Sequence, residues 1–277
     1  MTLRRPAWEE MRKVPAFVRR DFLVTWSYRF AFLSDFVNMF VQVLTFGLVG
    51  RIVNPTTIPE YGGTQPGYVE FVVVGIVVTS FLQIALSRVV NVIRQEQMQG
   101  TLEAVMMTPT STSTFQIGSV AYDLVYVPVR TTIFLIATSF LLDIAFNPSG
   151  YLLAIPVLLV FIPFVWGLGI ITAAATLTFR RGAGLITFFV SALVLLSESY
   201  FPITVFPEWL QSVAELNPLY VALKTIRDVV IGSSGWEVIP STVAYLVPWA
   251  AVSLILGVAA FRWALARERR AGTLGIY

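Results

Sequence analysis

The chain has 277 residues, 56% of them hydrophobic and 13% charged, with a formal net charge of +3. A soluble domain carries about 25% charged residues to cover its surface, so this composition excludes an ordinary water-soluble fold and fits a chain surrounded mostly by lipid. Cysteine and histidine are both absent, which excludes disulfides, thiolate metal sites, histidine-based catalysis and the usual zinc and iron centres.

Residues 1–29 read as a basic cytoplasmic N-terminus. Trp8, Glu9, Glu10, Arg12 and Lys13 follow its basic start without a short apolar run or a small-residue cleavage site, so no cleavable signal peptide is expected. Pro15 suits a first helical position, and residues 16–26 then read as an amphipathic helix lying in the headgroup layer. Val18, Phe22 and Trp26 recur every four positions on one side, while Arg19 and Arg20 fall elsewhere, where anionic lipid attracts them. A plain basic flank that only sets topology is the alternative.

A helix crossing ~30 Å of hydrocarbon needs about 20 mostly apolar residues. Six stretches qualify, at 30–53, 68–92, 120–142, 151–179, 183–201 and 241–264. They predict an all-α polytopic membrane protein with a six-span domain over residues 30–264. Lys and Arg gather before the first span, at Arg88 and Arg94, at Arg180 and Arg181, and from Arg262 to Arg270; Arg51, Lys224 and Arg227 alone fall on the opposite side. Cytoplasmic loops attract positive residues, so both termini, including the tail 265–277, are expected inside a bacterial inner (plasma) membrane. The cations form no single patch, which speaks against a nucleic-acid partner.

Between the first two spans, Asn54-Pro55, Pro59 and Gly62-Gly63 predict an irregular external loop. The loop after the second span is the longest cytoplasmic one. Gly100 permits a break in the emerging helix, Thr101 can cap a new one, and Glu103 lies in its first turn, where the helix dipole favours an anion. Leu102, Val105 and Met106 form an apolar stripe, with Met107 beside it, and Pro109 ends the helix. The residues alone allow this stripe to rest on lipid or on a protein partner.

The short link 143–150 makes the third and fourth spans antiparallel neighbours. After the fifth span, residues 202–240 are too polar to cross again but carry helical punctuation. Pro207 starts a short helix through Leu216, and a second runs from Pro218 to Ile231 with Gly232 as its stop. They read as external helices forming a lid over an outer mouth, or as a surface loop with incidental helix.

Asp35, Glu70, Asp123, Arg130 and Glu198 fall within or at the edges of spans. Charge inside a membrane is costly, so each is a functional candidate. Arg130 is the deepest; it lies seven positions from Asp123, roughly 10 Å along one helix face, and either Asp123 or a residue of another helix can be its partner. Asp123, Arg130 and Glu198 are candidates for a substrate path or gate, with a structural ion pair as the alternative. Phe81, Tyr200 and Phe201 join them as aromatic lining. Gly167 and Gly169 read as close-packing positions.

Two stretches together resemble a known family. Glu96-x-x-x-Gly100-Thr101-Leu102-Glu103 with Thr108-Pro109 is similar to the signature of the ABC-2-type transporter permeases. So is the later run Tyr200-Phe201-Pro202, Phe206-Pro207-Glu208-Trp209-Leu210, Leu216-Asn217-Pro218-Leu219-Tyr220 and Arg227. The resemblance covers the whole six-span layout. It implies a coupling helix made by Gly100, Thr101, Leu102, Glu103, Val105, Met106 and Met107, with Glu96 ahead of it, against a separate ATP-binding subunit. It also implies a homodimeric permease bound to two copies of that subunit, exporting a drug-like amphiphile, a lipid or a lipid-linked glycan.

ATP and magnesium would be held by the partner. The chain itself is not expected to be an enzyme or to bind a cofactor: its lysines, Lys13 after Arg12 and Lys224 after Leu223, cannot complete a P-loop. An ion-coupled carrier built on Asp123, Arg130 and Glu198 is one alternative, although no internal repeat supports it. An intramembrane protease is the other. Tyr122-Asp123 resembles half of the aspartyl signature, but the Gly-x-Gly-Asp half is absent, and a lone carboxylate cannot share a proton as an acid–base pair must.

Overall fold

The computed structural model describes residues 14–27, 29–50, 52, 58–98, 121–178 and 183–271. The regular elements among them are all helical: α1 (Val14–Ser27), α2 (Arg29–Val49), α3 (Tyr68–Met98), α4 (Asp123–Leu142), α5 (Pro148–Thr178), α6 (Ala183–Leu195), α7 (Glu208–Glu215), α8 (Pro218–Val230) and α9 (Ile239–Ala271). Short 3-10 turns at Ile203–Val205 and Trp236–Val238 precede α7 and α9.

Helix α5 and the stretch 71–78 of α3 form the interior because their sequences are apolar on every side, the mark of a helix buried all round. In α3, Phe71, Val72, Val73, Val74, Ile76, Val77 and Val78 are all buried in one unbroken run. In α5, 31 residues long, Val157, Phe161, Ile162 and Val165 are wholly enclosed. Pro148 opens α5 at a position that needs no N–H donor, and Asn147 Oδ1 accepts from Ser149 N–H at 3.2 Å.

Helix α9 runs along α5 at very close range. A Cβ added at Gly167 would collide with the backbone of Ser253, and one at Gly257 would stand 2.8 Å from the Gly167 carbonyl oxygen. Small residues at facing positions are how helices approach in lipid, where no hydrophobic force drives them together. Gly167 is therefore the packing position its sequence predicts.

The outer helices present apolar side chains outward. Leu33, Val37, Val41, Leu44 and Leu48 of α2 are exposed, while Met39 and Val43 are buried against the bundle. Three segments are long and apolar enough to cross a bilayer: Asp123–Leu142, Pro148–Thr178 and Trp236–Glu268. Shorter apolar stretches occupy Leu33–Val49 and Tyr68–Ile84. Of the six expected spans, the described helices thus supply three at full length.

The fifth stretch differs most from expectation. Helix α6 has 13 residues, ~20 Å of rise, and stops at Leu195, not Phe201. Its exposed last-turn carbonyls need partners, and Asn217 Nδ2 donates to the Leu193 oxygen at 2.7 Å. The same asparagine caps α8, accepting from Leu219 N–H at 3.0 Å ahead of Pro218 at the first helical position.

Helices α7 and α8 occupy the stretches that the proline punctuation marks, but they are not alike. In α7 only Ala214 is buried. In α8 ten of thirteen residues are, so this helix is part of the bundle and not a surface cover.

Candidate functional site

The bundle closes around a buried charge node below α8. Glu198 follows α6 with a left-handed backbone, φ 65°, a conformation costing a non-glycine residue roughly 1–2 kcal/mol. Its carboxylate is held at both oxygens: Tyr61 Oη donates to Oε2 at 2.7 Å, and Ile203 N–H donates to Oε1 at 2.9 Å.

Arg227 supplies the opposite charge from α8. Its Nη1 stands 3.5 Å from Glu198 Oε2. Nη2 donates to the backbone carbonyls of Glu198 and Phe71, at 2.8 and 3.0 Å, and Nε donates to the Phe71 carbonyl at 3.3 Å. The guanidinium carbon lies 3.7 Å from the centroid of the Phe71 ring, a cation–π contact that favours arginine over lysine.

Arg227, Tyr61 and Glu198 are 0%, 1% and 2% exposed. Burying two charges costs several kcal/mol each unless geometry and hydrogen bonds return it. Here donors and acceptors from four segments do so, which makes the node a junction between α3, the 58–67 loop, the turn after α6, and α8.

Neighbouring contacts keep the junction tight. A Cβ on Gly75 would run into the Ser199 carbonyl, so the turn after α6 lies directly on the α3 backbone. Tyr68 Oη donates to the Tyr200 carbonyl at 3.0 Å. The Tyr200 ring stacks on Phe46 at 4.7 Å, and Phe201 meets Phe46 edge-on at 6.5 Å.

On the loop side, Asp228 Oδ1 accepts from Gly62 N–H at 3.1 Å, while Ser233 Oγ donates to the Gly62 carbonyl at 3.0 Å. Gly62 has φ 52°, a backbone that glycine adopts without steric cost. Burial pushes the Tyr61 phenol well above its ordinary range. Burial also raises the Asp228 carboxyl, against the pull of Gly62 N–H, Lys224 and Arg227.

Arg130 lies elsewhere, on α4. It does not reach Asp123; its Nη2 stands 3.7 Å from Asp35 Oδ2 and donates to Met39 Sδ at 3.2 Å, so both partners are on α2. The pairing takes the cross-helix alternative because an arginine on α4 meets α2 at the same level more easily than it stretches two turns along its own helix. Asp123 is wholly buried at the start of α4.

Phe81 is buried too, edge-on to Phe161 at 6.2 Å, within the α3–α5 core. In α1, Phe22 and Trp26 stack at 6.2 Å and are exposed, as are Arg19 and Arg20, with Val18 half-buried. Glu96 lies on α3, with its side chain outside the described residues; Gly100, Thr101, Leu102, Glu103, Val105, Met106 and Met107 lie outside them altogether.

The structure therefore brings together Glu198, Tyr200 and Phe201 and keeps Phe81, Asp123 and Arg130 apart from them. It adds Tyr61, Phe71 and Arg227 to the site. Arg227 was legible in one respect: it falls seven positions after Tyr220 and four after Leu223, on the apolar face of α8, where an arginine is out of place without a buried partner.

Long apolar helices around a polar, fully enclosed junction define a multi-pass membrane protein. The chain belongs to the ABC-2 type transporter family, whose model matches residues 12–231, and it is a transmembrane permease of an ABC transporter. Among curated proteins none matches it.

Proposed function

We propose that this permease is an exporter subunit, working as a homodimer with two copies of a separate ATP-binding subunit that holds ATP and magnesium. Its cargo is an amphipathic drug-like molecule, a lipid or a lipid-linked glycan leaving the cytoplasm or inner leaflet. The observation that carries this reading is the family match over residues 12–231, which spans both the loop at 99–120 and the charge node.

In this reading Gly100 to Met107 forms the coupling helix, and ATP-driven closure of the motor below reaches the spans through it. Both termini face the cytoplasm of a bacterial inner membrane, since the basic residues gather at those ends. The turn carrying Glu198, Tyr200 and Phe201 then lies toward the outer face as part of a gate. Its support is the junction itself: four segments meet at Arg227 and Glu198, so none of them moves without the others.

The test is a mild-detergent purification of the full chain from its host membrane, with quantitative mass spectrometry of co-purifying proteins. A P-loop subunit recovered in equal proportion is the expected result. Repeated recovery of the chain alone, still transporting without ATP, would replace this reading with the ion-coupled carrier.

A further inference from the structure

We infer that Arg130 is the headgroup site of an anionic phospholipid, entered from the bilayer between α2 and α4. The inference needs the chain to sit in a membrane but does not need the motor or the export reading.

The first ground is an unfilled cation. Arg130 is 6% exposed, yet its Nε is buried with no hydrogen-bond partner. Nη2 meets only a thioether at 3.2 Å and a carboxylate at 3.7 Å. Arg227 shows what a satisfied buried guanidinium looks like in the same molecule, with two backbone carbonyls, a carboxylate and a ring. A guanidinium offers five donors in a planar fork that fits phosphate, and most of that fork is unused here.

The second ground is the counter-ion. The Asp35 side chain is 51% exposed, on a helix that the inference sets in the bilayer. A carboxylate there is costly, and at 3.7 Å it makes a loose pair. It joins the buried Arg130 to the outer surface of the bundle. Aliphatic side chains flank the pair along both helices: Leu33 and Val37 on α2 and Val129 and Ile133 on α4, all between 45% and 58% exposed. They give acyl chains a surface beside the charge.

Depth fits as well. Asp35 is six positions into α2 and Arg130 seven into α4, so both groups lie ~10 Å from the N-terminal ends of their helices. Side chains on a helix lean toward its N-terminus, and a long arginine reaches several ångströms farther that way by snorkelling. A lipid phosphate drawn slightly inward by local thinning meets it.

The test uses the full chain in nanodiscs of equal phosphatidylglycerol and phosphatidylcholine, with lipids retained after release counted by native mass spectrometry. The wild-type chain keeps phosphatidylglycerol in preference. Arg130→Gln lowers that preference about tenfold, the size of one charge-assisted hydrogen bond, and leaves phosphatidylcholine unchanged. Arg130→Lys keeps part of it. Asp35→Asn, on an exposed side chain, raises it by removing the competing carboxylate.

An unchanged preference in Arg130→Gln, or a loss in Asp35→Asn, would make the pair purely structural and overturn the site. Displacement of the lipid by inorganic phosphate would overturn the lipid assignment in favour of a free anion. The export reading survives any of these results, since its own test is recovery of the motor.

Discussion

Glu198 stores a local cost that its side chain offsets. The left-handed backbone at φ 65° disfavours any residue with a Cβ, and the carboxylate's bonds to Tyr61, Ile203 and Arg227, with the Arg227 bond to its carbonyl, hold it there. Two substitutions separate the terms. Glu198→Ala removes the carboxylate and keeps the strained Cβ; Glu198→Gly removes both. Each leaves the Arg227 charge buried without its anion, a loss of about 3–5 kcal/mol. The glycine variant is nonetheless expected to be more stable than the alanine variant by about 1 kcal/mol. Thermal unfolding of the detergent-purified variants measures the order. Equal melting temperatures would mean that the backbone strain is not borne at this residue.

At the scale of elements, the decisive contacts are backbone against backbone. The turn after α6 rests on α3 because Gly75 has no side chain. Gly75→Ala is therefore expected to separate α3 from that turn and cost at least about 1–3 kcal/mol, as overpacking does. Gly47→Ala in α2 is the control, since its added Cβ would meet Val69 Cγ2 at an ordinary 3.8 Å; helix propensity there makes alanine neutral or mildly favourable. Melting temperatures and monodisperse yield of the two variants test the pair, and comparable losses in both would refute the close-approach account.

Much at this scale was legible beforehand. Pro207, Pro218 and Asn217 mark α7 and α8 through local chemistry alone, and Gly167 announces a close crossing. The junction was not legible, because its bonds join residues 137 and 156 positions apart, and no local pattern specifies which distant carbonyl an arginine meets. Glu198 stood out because a carboxylate in an apolar run is conspicuous. Arg227 belongs to a stretch too polar to cross the membrane, which groups it with the external cations; the burial of α8 places it inside the bundle.

For the whole molecule, α9 acts as a ruler. Trp236 stands just ahead of it and Trp263 lies near its far end, 59% and 57% exposed. The 27 positions between them rise ~40 Å, the span of a bilayer with its headgroups, and tryptophan favours both interfaces. Arg267 lies 5.6 Å from the Trp263 ring centroid, which places a cation at one of those interfaces. In the orientation proposed above, that end faces the cytoplasm and the α7 end the outside.

The chain has no cysteine, so a single introduced thiol reports its side without background. Ser212→Cys on exposed α7 should react with a membrane-impermeant maleimide in intact spheroplasts, and Arg270→Cys only after the membrane is opened. Neither substitution touches the junction, so both variants should fold. The reverse pattern would invert the molecule and move the Glu198 junction to the cytoplasmic side, where it would lie toward the motor and not toward the exit. Labelling of both from one side would show that α9 does not cross. The expected pattern separates the junction from the loop at 99–120 by the thickness of the membrane. On the coupling reading proposed above, α3 links the two ends: its last residue, Met98, precedes that loop, and Phe71 and Gly75 near its start sit in the junction.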